Sequence, residues 1–315
     1  MVVAVITPTR DRAHMIEKTI YSVRWQTYGN HIHLIVDDGS SDRTKKLVEF
    51  HSKEDPRIVY ARREKPKGEK LTASNAINHG FNMLLDESTI KYFTVLHSDD
   101  LLTENSISQR IKKIKENPEY ALAFGNICNI DENYRIIRES SGFDFPDAET
   151  LYEKTRISRS FPHHTILFSK DILKETGFYD SRIGYGEDCD MSLRLIKTVI
   201  ETGSGIEYID DFLTYYMTHQ DSISGIYRKN GWDKIDNKFL DIKHSESDFD
   251  YYMKIAKRFT KRLIKRPHSF LPESVKKVLR PVRDRFLRNE KKPYRDEFLE
   301  KISKARSDFW DSECF

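Results

Sequence analysis

The sequence predicts an α/β fold in which a mainly parallel sheet is flanked by helices, and two observations support that prediction. Short apolar runs rich in β-branched and aromatic residues alternate with amphipathic helical patterns through about the first 130 residues. Such alternation is typical of parallel sheets with helices packed on both faces. Polar clusters follow three of these runs, and ligands of such sheets bind at the carboxyl ends of the strands. We therefore expect one ligand cleft at that edge of the sheet.

Hydrophobic periodicity predicts the individual elements. Apolar runs predict buried strands at residues 2–6, 32–36, 58–61, 92–96 and 121–127. Helical spacing predicts helices around residues 16–23, 73–84, 107–114 and 188–200, and a further strand-like run covers residues 206–217. From residue 134 to 160 the pattern is irregular and includes Gly142 and Pro146, so we expect loops and short elements there.

The character of the chain changes after residue 225, where charge and helical spacing replace the strand pattern. Two apolar stripes at helical spacing follow, namely Tyr252, Ile255, Phe259 and Leu263, and then Phe298, Ile302, Ala305 and Phe309. We therefore divide the chain into an α/β domain over residues 1–225 and a smaller, basic α-helical region over residues 226–315.

Basic residues greatly outnumber acidic ones between residues 254 and 295. Three interpretations are open: a solvated helical face, a surface that docks on an anionic membrane, and a nucleic-acid site. The membrane interpretation rests on Lys257 and Arg258, which flank the apolar Ile255 and Phe259. Nucleic acid is not expected, because the first domain has no basic stripe and no nucleic-acid motif. The aromatic helices of the tail are also a candidate surface for pairing two chains.

Composition bounds the class of protein. The chain has 315 residues, of which 38% are apolar and 33% charged, and its net charge is +3. These values fit a globular protein with a charged surface. The apolar start lacks a basic region before it, and no run reaches about 18 apolar residues, so neither a secretion signal nor a spanning helix is expected. Three dispersed cysteines argue against a disulfide framework and a Cys-based zinc site, and a cytoplasmic location is predicted, peripheral on the inner membrane face if the tail docks there.

Acidic residues cluster at three places in the first domain. Asp37 and Asp38 follow a predicted strand, and Gly39 lets the chain turn there. His97-Ser98-Asp99-Asp100 follows another strand, and its clustered carboxylates need compensation by donors or by a divalent ion bridging to a diphosphate. Glu187 and Asp188 begin a predicted helix. Each cluster also has a structural interpretation, because Asp and Glu are favoured in turns, in N-caps and in first helical turns.

The order of these clusters resembles the family 2 inverting glycosyltransferases of the GT-A fold, a Rossmann-like sheet flanked by helices. The resemblance covers roughly residues 1–225 and is carried by these segments: Val3 to Thr9, Ile20-Tyr21-Ser22-Val23 with Gln26-Thr27, Asp37 to Asp42, Ala73-Ser74-Asn75, His97 to Asp100, Gly177-Phe178-Tyr179-Asp180, Gly186-Glu187-Asp188, and Tyr215-Tyr216 with His219 and Ser222.

The resemblance implies roles for particular residues. Asp188 matches the catalytic base, with Glu187 beside it, and Asp99 matches the last acid of the signature that holds a metal ion on the donor diphosphate. Asp38 matches the residue that binds the base, commonly uracil. The implied nucleotide-binding set is Thr7, Pro8, Thr9, Arg10, Asp38, Ser74 and Asp99.

Two residues depart from the family pattern. His97 stands where the signature usually begins with Asp, and Ser74 stands where Arg is usual. His97 and His219 are candidate metal ligands beside Asp99, and because imidazole suits manganese better than magnesium, Mn²⁺ is favoured over Mg²⁺. His219 also has the alternative of a surface-loop histidine. The pair His163-His164 has two interpretations, one in which it faces the sugar or acceptor and one in which it is structural.

The implied function is transfer of a sugar from a nucleoside-diphosphate sugar, UDP first, to a hydroxyl of a glycan or lipid-linked saccharide with inversion at the anomeric carbon. A carboxylate accepts the proton of the attacking hydroxyl, and a metal ion stabilises the leaving diphosphate. The alternative is a catalytically silent nucleotide-sugar-binding protein or scaffold, which His97 and Ser74 favour. A nucleotidyltransferase is disfavoured, because the segment from Thr7 to Arg12 contains no glycine.

Overall fold

A nine-stranded sheet forms the centre of the part of the chain that the structure describes, with strand order β3-β2-β1-β4-β8-β6-β9-β5 and β7 paired to β6. The strands are β1 (Val2–Thr9), β2 (His31–Asp37), β3 (Ile58–Arg62), β4 (Ile90–Val95), β5 (Leu101–Leu102), β6 (Tyr120–Ile130), β7 (Ile136–Ser140), β8 (Leu167–Ser169) and β9 (Gly205–Met217).

Helices cover the sheet, and all the strands predicted from the sequence are present. The helices are α1 (Ile16–Arg24), α2 (Thr44–Glu54), α3 (Ala73–Leu84), α4 (Ser106–Glu116), α5 (Ala148–Ser158), α6 (Lys170–Thr176), α7 (Glu187–Thr202), α8 (Glu297–Lys304) and α9 (Phe309–Ser312), with a 3-10 turn at His163–Thr165.

The structure is a computed structural model that describes residues 1–66, 68, 69, 72–140, 145, 147–158, 161–183, 186–219, 296–307 and 309–312. These residues belong to one of two compact units, the one that comprises Met1–Ile235 and Asp296–Phe315. The second unit, Asp236–Arg295, lies outside the described residues. The predicted boundary at residue 225, the stripe from Tyr252 to Leu263 and the basic segment therefore stay predictions.

The sheet is mixed rather than mainly parallel throughout. Strands β3, β2, β1 and β4 run parallel, as predicted, and so do β6 and β9. Strand β8 lies antiparallel between β4 and β6, and β5 and β7 also pair antiparallel. An antiparallel neighbour needs no helical crossover, so strands as short as β8 can fill this half of the sheet.

The alternating sides of β1 supply two cores, one on each face of the sheet. Ala4 and Ile6 pack into the core that contains Phe81, whereas Val3 and Val5 pack into the core that contains Ile107. Helix α3 lies so close to the sheet that a Cβ on its Gly80 would come within 2.9 Å of Ile6 Cγ2. A glycine at this position therefore lets α3 approach the ends of β1 and β2.

Two sequence predictions require correction. The region from 134 to 160 contains strand β7 and the 11-residue helix α5 as well as loops. The predicted C-terminal stripe is broken, because α8 ends at Lys304 and Ala305 is extended. Ile302 consequently packs near Tyr215, whereas Phe309 packs in a different cluster with Ile16.

None of the helices in the described ranges is long and apolar enough to cross a membrane.

Candidate active site

Two of the acidic clusters lie at the carboxyl edge of the parallel strands, at the ends of β2 and β4, and the third lies in the first turn of α7. Backbone hydrogen bonds hold the neighbouring strand ends together: the Asp38 N–H donates to Thr9 O at 2.9 Å, and the Leu96 N–H donates to Ile6 O at 3.0 Å. Parallel pairing puts these carboxyl ends on one edge. The edge therefore carries the residues that the sequence predicts for nucleotide binding.

The end of β1 contributes residues with different surroundings. The Thr7 hydroxyl is buried against His33 Nε2 at 2.8 Å, so its bonding is satisfied inside the sheet. Pro8 is buried, and the buried Thr9 hydroxyl forms no hydrogen bond. Arg10 is exposed and lies 3.6 Å from the Asp11 carboxylate. Thr9 and Arg10 are thus the residues of this segment whose polar groups remain available to a ligand.

The two carboxylates at the end of β2 do different things. Asp37 is a structural residue, because it accepts hydrogen bonds from the Ser40 N–H and the Tyr60 hydroxyl, both at 2.7 Å. The Asp38 carboxylate is also buried, but its Oδ1 accepts no hydrogen bond and lies 3.4 Å from an Arg63 nitrogen. Asp38 is therefore a buried acceptor with an unused oxygen beside a guanidinium.

Arg63, which lies just beyond β3, is a residue of this edge that was not predicted from the sequence. Its guanidinium is 7% exposed and pairs with the carboxylates of both Asp38 and Glu69. The signal available in the sequence was a basic pair at the end of a buried strand. Ser74 lies in the first turn of α3, and its buried hydroxyl forms no hydrogen bond.

The loop after β4 holds Asp99 and Asp100 in contrasting environments. Asp99 is half-buried, and its Oδ2 lies 2.9 Å from His219 Nε2. Burial opposes ionisation of Asp99, but the hydrogen bond from His219 and the nearby His97 outweigh it, so the pKa of Asp99 is lowered. Asp99 is therefore the partly exposed carboxylate of this loop, and its lowered pKa favours the charged form.

Asp100 points into the protein. Its Oδ1 accepts the Met217 N–H at 2.9 Å, and its Oδ2 lies 3.4 Å from His164 Nδ1. Burial and the charge of Asp99 raise its pKa well above the usual range. Neither Asp99 nor Asp100 caps the next helix, which begins at Ser106 after Asn105. The capping interpretation left open for these residues is therefore wrong.

Helix α7 presents Glu187 and Asp188 in its first turn. Gly186 precedes them with φ +89°, a left-handed conformation that glycine adopts without strain. Asp188 Oδ1 accepts the Cys189 N–H at 2.8 Å. Burial and the adjacent charge of Asp188 raise the pKa of Glu187 to about 7. Glu187 therefore holds a proton up to about neutral pH.

The described residues contain no group of three His, Cys, Asp or Glu side chains placed to hold a metal ion. Asp99 and His219 supply two adjacent donors, and His97 is half-buried near them, with its ring centroid 5.4 Å from that of His164. Two protein donors fit an ion whose remaining ligands come from a bound diphosphate, and a mixed oxygen and nitrogen set suits Mn²⁺ better than Mg²⁺.

The family of the chain follows from a match of residues 4–177 to the family described as glycosyl transferase family 2. The match covers more than half of the 315 residues. The chain belongs to glycosyl transferase family 2. It is accordingly an enzyme of the glycosyltransferase class, as the sequence predicts.

Two curated relatives carry names that include a lipid carrier. One is the GalNAc(5)-diNAcBac-PP-undecaprenol beta-1,3-glucosyltransferase of Campylobacter jejuni, 28% identical over 234 residues, which are 73% of this chain and 69% of the relative. The other is a UDP-Glc:alpha-D-GlcNAc-diphosphoundecaprenol beta-1,3-glucosyltransferase of Escherichia coli, 31% identical over 140 residues, which are 44% of this chain and 48% of the relative.

Among solved structures, S. aureus TarS residues 1–349 in complex with UDP shares the fold. The TM-score is 0.53 at 15% sequence identity, and the match covers 86% of this chain and 74% of that chain. This likeness confirms the predicted glycosyltransferase fold.

Proposed function

We propose that this glycosyltransferase moves a sugar from a UDP-sugar to a hydroxyl of a lipid-linked saccharide by single displacement, with inversion at the anomeric carbon. One observation carries the proposal. Three buried oxygens without hydrogen-bond partners, on Thr9, Asp38 and Ser74, occur at the same carboxyl edge as the acidic loop after β4. Buried polar atoms without partners are uncommon in native proteins and call for a ligand or water.

The nucleotide of the donor sugar would bind at those three oxygens. A nucleobase has N–H groups and a ribose has hydroxyls, so a buried carboxylate such as Asp38 is a suitable acceptor for either. The Arg63 guanidinium lies 3.4 Å from the Asp38 carboxylate and pairs with it. Thr7, Pro8 and Arg10 then line the pocket. The Thr7 hydroxyl is bonded to His33, so in this proposal Thr7 helps to position the backbone and does not contact the ligand through its hydroxyl.

The diphosphate end uses the loop after β4. We assign Asp99 and His219 as the residues that would hold a divalent ion, Mn²⁺ first, with His97 beside them. Such an ion, when bound, neutralises charge on the departing diphosphate. Helix α1 fixes the backbone of this loop, because the Thr19 hydroxyl donates to Ser98 O and Asp100 O at 3.0 and 2.9 Å.

The acceptor end uses α7. We assign Asp188 as the base whose carboxylate accepts the proton of the attacking hydroxyl. It lies in the first turn of α7, and its Oδ1 accepts the N–H of the next residue, Cys189. Glu187, the residue before Asp188, is protonated through much of the acidic range, because burial raises its pKa to about 7. A sugar hydroxyl loses its proton readily only as the new bond forms, so an ordinary carboxylate serves.

The relatives support the substrate classes. The names of the two bacterial enzymes specify diphosphoundecaprenol-linked saccharides, and one specifies UDP-Glc. We extend to this chain the classes alone: a UDP-sugar donor and a lipid-linked saccharide acceptor. A cytoplasmic location at the inner membrane face, docking of the basic segment on anionic lipid, a domain boundary at residue 225 and self-association belong to the same proposal.

A thermal-shift panel tests the donor class. Selective stabilisation by UDP with manganese, over GDP, CDP and dTDP, supports the roles of Asp38 and Asp99, because a ligand that binds only the folded state raises the unfolding temperature. Stabilisation by UDP that is unchanged in chelator assigns the diphosphate contacts to histidine and basic side chains. Absence of stabilisation by every nucleotide contradicts the proposal.

A catalytically silent nucleotide-sugar binder is the second candidate, favoured by His97 and Ser74 at positions where the family usually has Asp and Arg. It predicts tight nucleotide binding with no release of UDP from any UDP-sugar, with or without acceptor. Measured turnover of one donor excludes it.

A further inference from the structure

The turn at His163–Thr165, hereafter the histidine turn, contacts both α7 and the loop after β4. Its third residue anchors it to the protein. The buried Thr165 hydroxyl accepts the Gly125 N–H at 3.1 Å and lies 2.7 Å from Pro162 O. The Arg110 guanidinium, fully buried, donates to Thr165 O at 3.0 Å. Strand β6 and helix α4 therefore fix the backbone of the turn.

The first histidine of the turn contacts helix α7, which carries Asp188. His163 Nδ1 lies 2.7 Å from the Ser192 hydroxyl, which in turn donates to the backbone oxygen of Asp188 at 2.8 Å. Because the single hydrogen of Ser192 goes to Asp188, Ser192 accepts from His163 Nδ1–H. The remaining nitrogen, Nε2, therefore accepts from the Tyr179 hydroxyl at 2.5 Å.

This arrangement requires a neutral imidazole, and burial lowers the pKa of His163 to about 3. The chain of hydrogen bonds continues beyond Tyr179. The Tyr179 backbone N–H donates to Asn78 Oδ1 at 3.0 Å, and Asn78 Nδ2 donates back to Tyr179 O at 2.8 Å. Helix α3, which carries Ser74, is thereby connected to the first turn of α7 through side chains that are satisfied at each step.

The second histidine of the turn reaches the acidic loop after β4. His164 Nδ1 lies 3.4 Å from Asp100 Oδ2, and its ring contacts those of His97 and Tyr216 at centroid distances of 5.4 and 4.9 Å. The Thr214 hydroxyl donates to His164 O at 2.9 Å. His164 thus packs behind the loop that carries Asp99.

We propose that the histidine turn is a positioning element that aligns the base with the donor: His163 sets the first turn of α7 through Ser192, and His164 sets the loop of Asp99 through Asp100 and His97. The inference rests on the proposed function, since it takes Asp188 as the base and Asp99 as the diphosphate residue. Adjacent side chains on one rigid turn fix the separation of these two groups. Neither histidine contacts the reacting atoms in this arrangement, so both are positioning residues.

The two histidines should therefore affect different kinetic constants. His163→Phe keeps a ring but removes both hydrogen bonds, and we expect kcat to fall ~10- to 100-fold with the donor KM unchanged, as small misplacement of a catalytic group does. His163→Asn places an amide N–H near the Nδ1 position and should recover most of the loss. His164→Phe should instead raise the donor KM and weaken UDP binding, with a smaller effect on kcat.

Ser192→Ala provides a second route to the same link, because it breaks the bond to Asp188 and leaves the His163 to Tyr179 contact. The double variant with His163→Phe should lose no more kcat than the more affected single variant, since both changes break the same series of hydrogen bonds. His31→Phe is the matched control: His31 is also a buried histidine, but it lies at the opposite end of β2 from the site.

Steady-state release of UDP from a UDP-sugar and calorimetric binding of UDP give the readouts, with thermal unfolding as the check of folding. Wild-type kcat in both His163→Phe and Ser192→Ala, or equal effects of the His163 and His164 changes on KM, overturns the positioning role. Asp188→Asn in the same series separates the two ideas. If Asp188→Asn stays active, the assignment of the base fails; if only the His163 and Ser192 variants stay active, the positioning inference fails alone.

Discussion

His219 Nε2 lies 2.9 Å from Asp99 Oδ2, although 120 residues separate them in the chain. The contact joins the loop after β4 to the residues that follow β9, and it gives the half-buried carboxylate a hydrogen-bond partner. An ion that takes Asp99 as a ligand must share it with this imidazole or displace it. His219 is therefore the residue through which metal binding is most sensitively tested.

His219→Gln should weaken UDP binding in manganese about tenfold, because one donor is lost and Asp99 loses its hydrogen-bond partner. Calorimetry of UDP in Mn²⁺ and in chelator measures this, since the variant should differ from wild type in Mn²⁺ and much less in chelator. Equal affinities of the two proteins in Mn²⁺ would remove His219 from the site.

Substitution of the two neighbouring carboxylates at the end of β2 should change different properties, UDP affinity for Asp38 and stability for Asp37. Asp38→Asn should weaken UDP binding ~10- to 100-fold with little change in stability, because a charged acceptor of ligand hydrogen bonds is lost. Asp37→Asn should instead lower the free energy of unfolding, because Asp37 accepts from Ser40 and Tyr60. Urea unfolding and UDP titration of both variants make the comparison. A large stability loss in Asp38→Asn with unchanged UDP affinity would reverse the assignment.

The raised pKa of Glu187 predicts a pH dependence of stability. Its pKa rises from an ordinary 4.5 to about 7 in the folded protein, so the folded state binds the proton more tightly than the unfolded state does. The contribution is fully present below pH 4.5 and is lost as pH rises through about 7. Glu187→Gln cannot ionise and should flatten this part of the profile.

Urea unfolding at several pH values across that window measures the effect. Glu201→Gln is the control, because Glu201 is an exposed carboxylate at the far end of the same helix. A profile in Glu187→Gln that is as steep as in wild type would show that another group titrates there.

The C-terminal residues 296–312 should stabilise the catalytic unit. The buried Glu17 carboxylate accepts hydrogen bonds from Ser307 and from Trp310 Nε1, the latter at 3.0 Å. Trp310→Phe keeps an aromatic side chain but replaces the indole by a smaller phenyl ring without the N–H, which leaves Glu17 one donor short and should cost about 1–3 kcal/mol of unfolding free energy. Ser303→Ala is the control, because the exposed Ser303 hydroxyl donates only to Glu300 O within its own helix. Equal urea midpoints for Trp310→Phe and wild type would contradict this role.

The regular elements of the first domain were predictable because burial imposes periodicity on the sequence. Strand β1 reads as a continuous apolar run since both of its faces are covered, and α4 shows its buried Ile107, Ile111 and Ile114 at helical spacing. The strand-like residues 165–168 indicate a strand near β8, but its antiparallel place between β4 and β6 was not predictable, because pairing is set by contacts far apart in the chain. The packing of α8 and α9 on the first unit depends on long-range contacts such as Glu17 with Trp310.

The chemistry of the site was predictable only as far as single residues. The sequence indicates Asp38, Asp99 and Asp188 by their positions after strands and before a helix. It does not show that Asp100 turns inward to the Met217 N–H, or that Arg63 pairs with Asp38. Those contacts join segments far apart in the chain, and local patterns contain no information about them.

The role of Asp188 as the base is tested by Asp188→Asn, with release of UDP from a UDP-sugar in the presence of a diphosphate-linked saccharide as the measurement. We expect the variant to bind UDP within about threefold of wild type and to lose transfer by ~10²- to 10⁴-fold, the usual contribution of a general base. The Glu201→Gln control should turn over as wild type does. Transfer by Asp188→Asn at the wild-type rate would exclude Asp188 as the base.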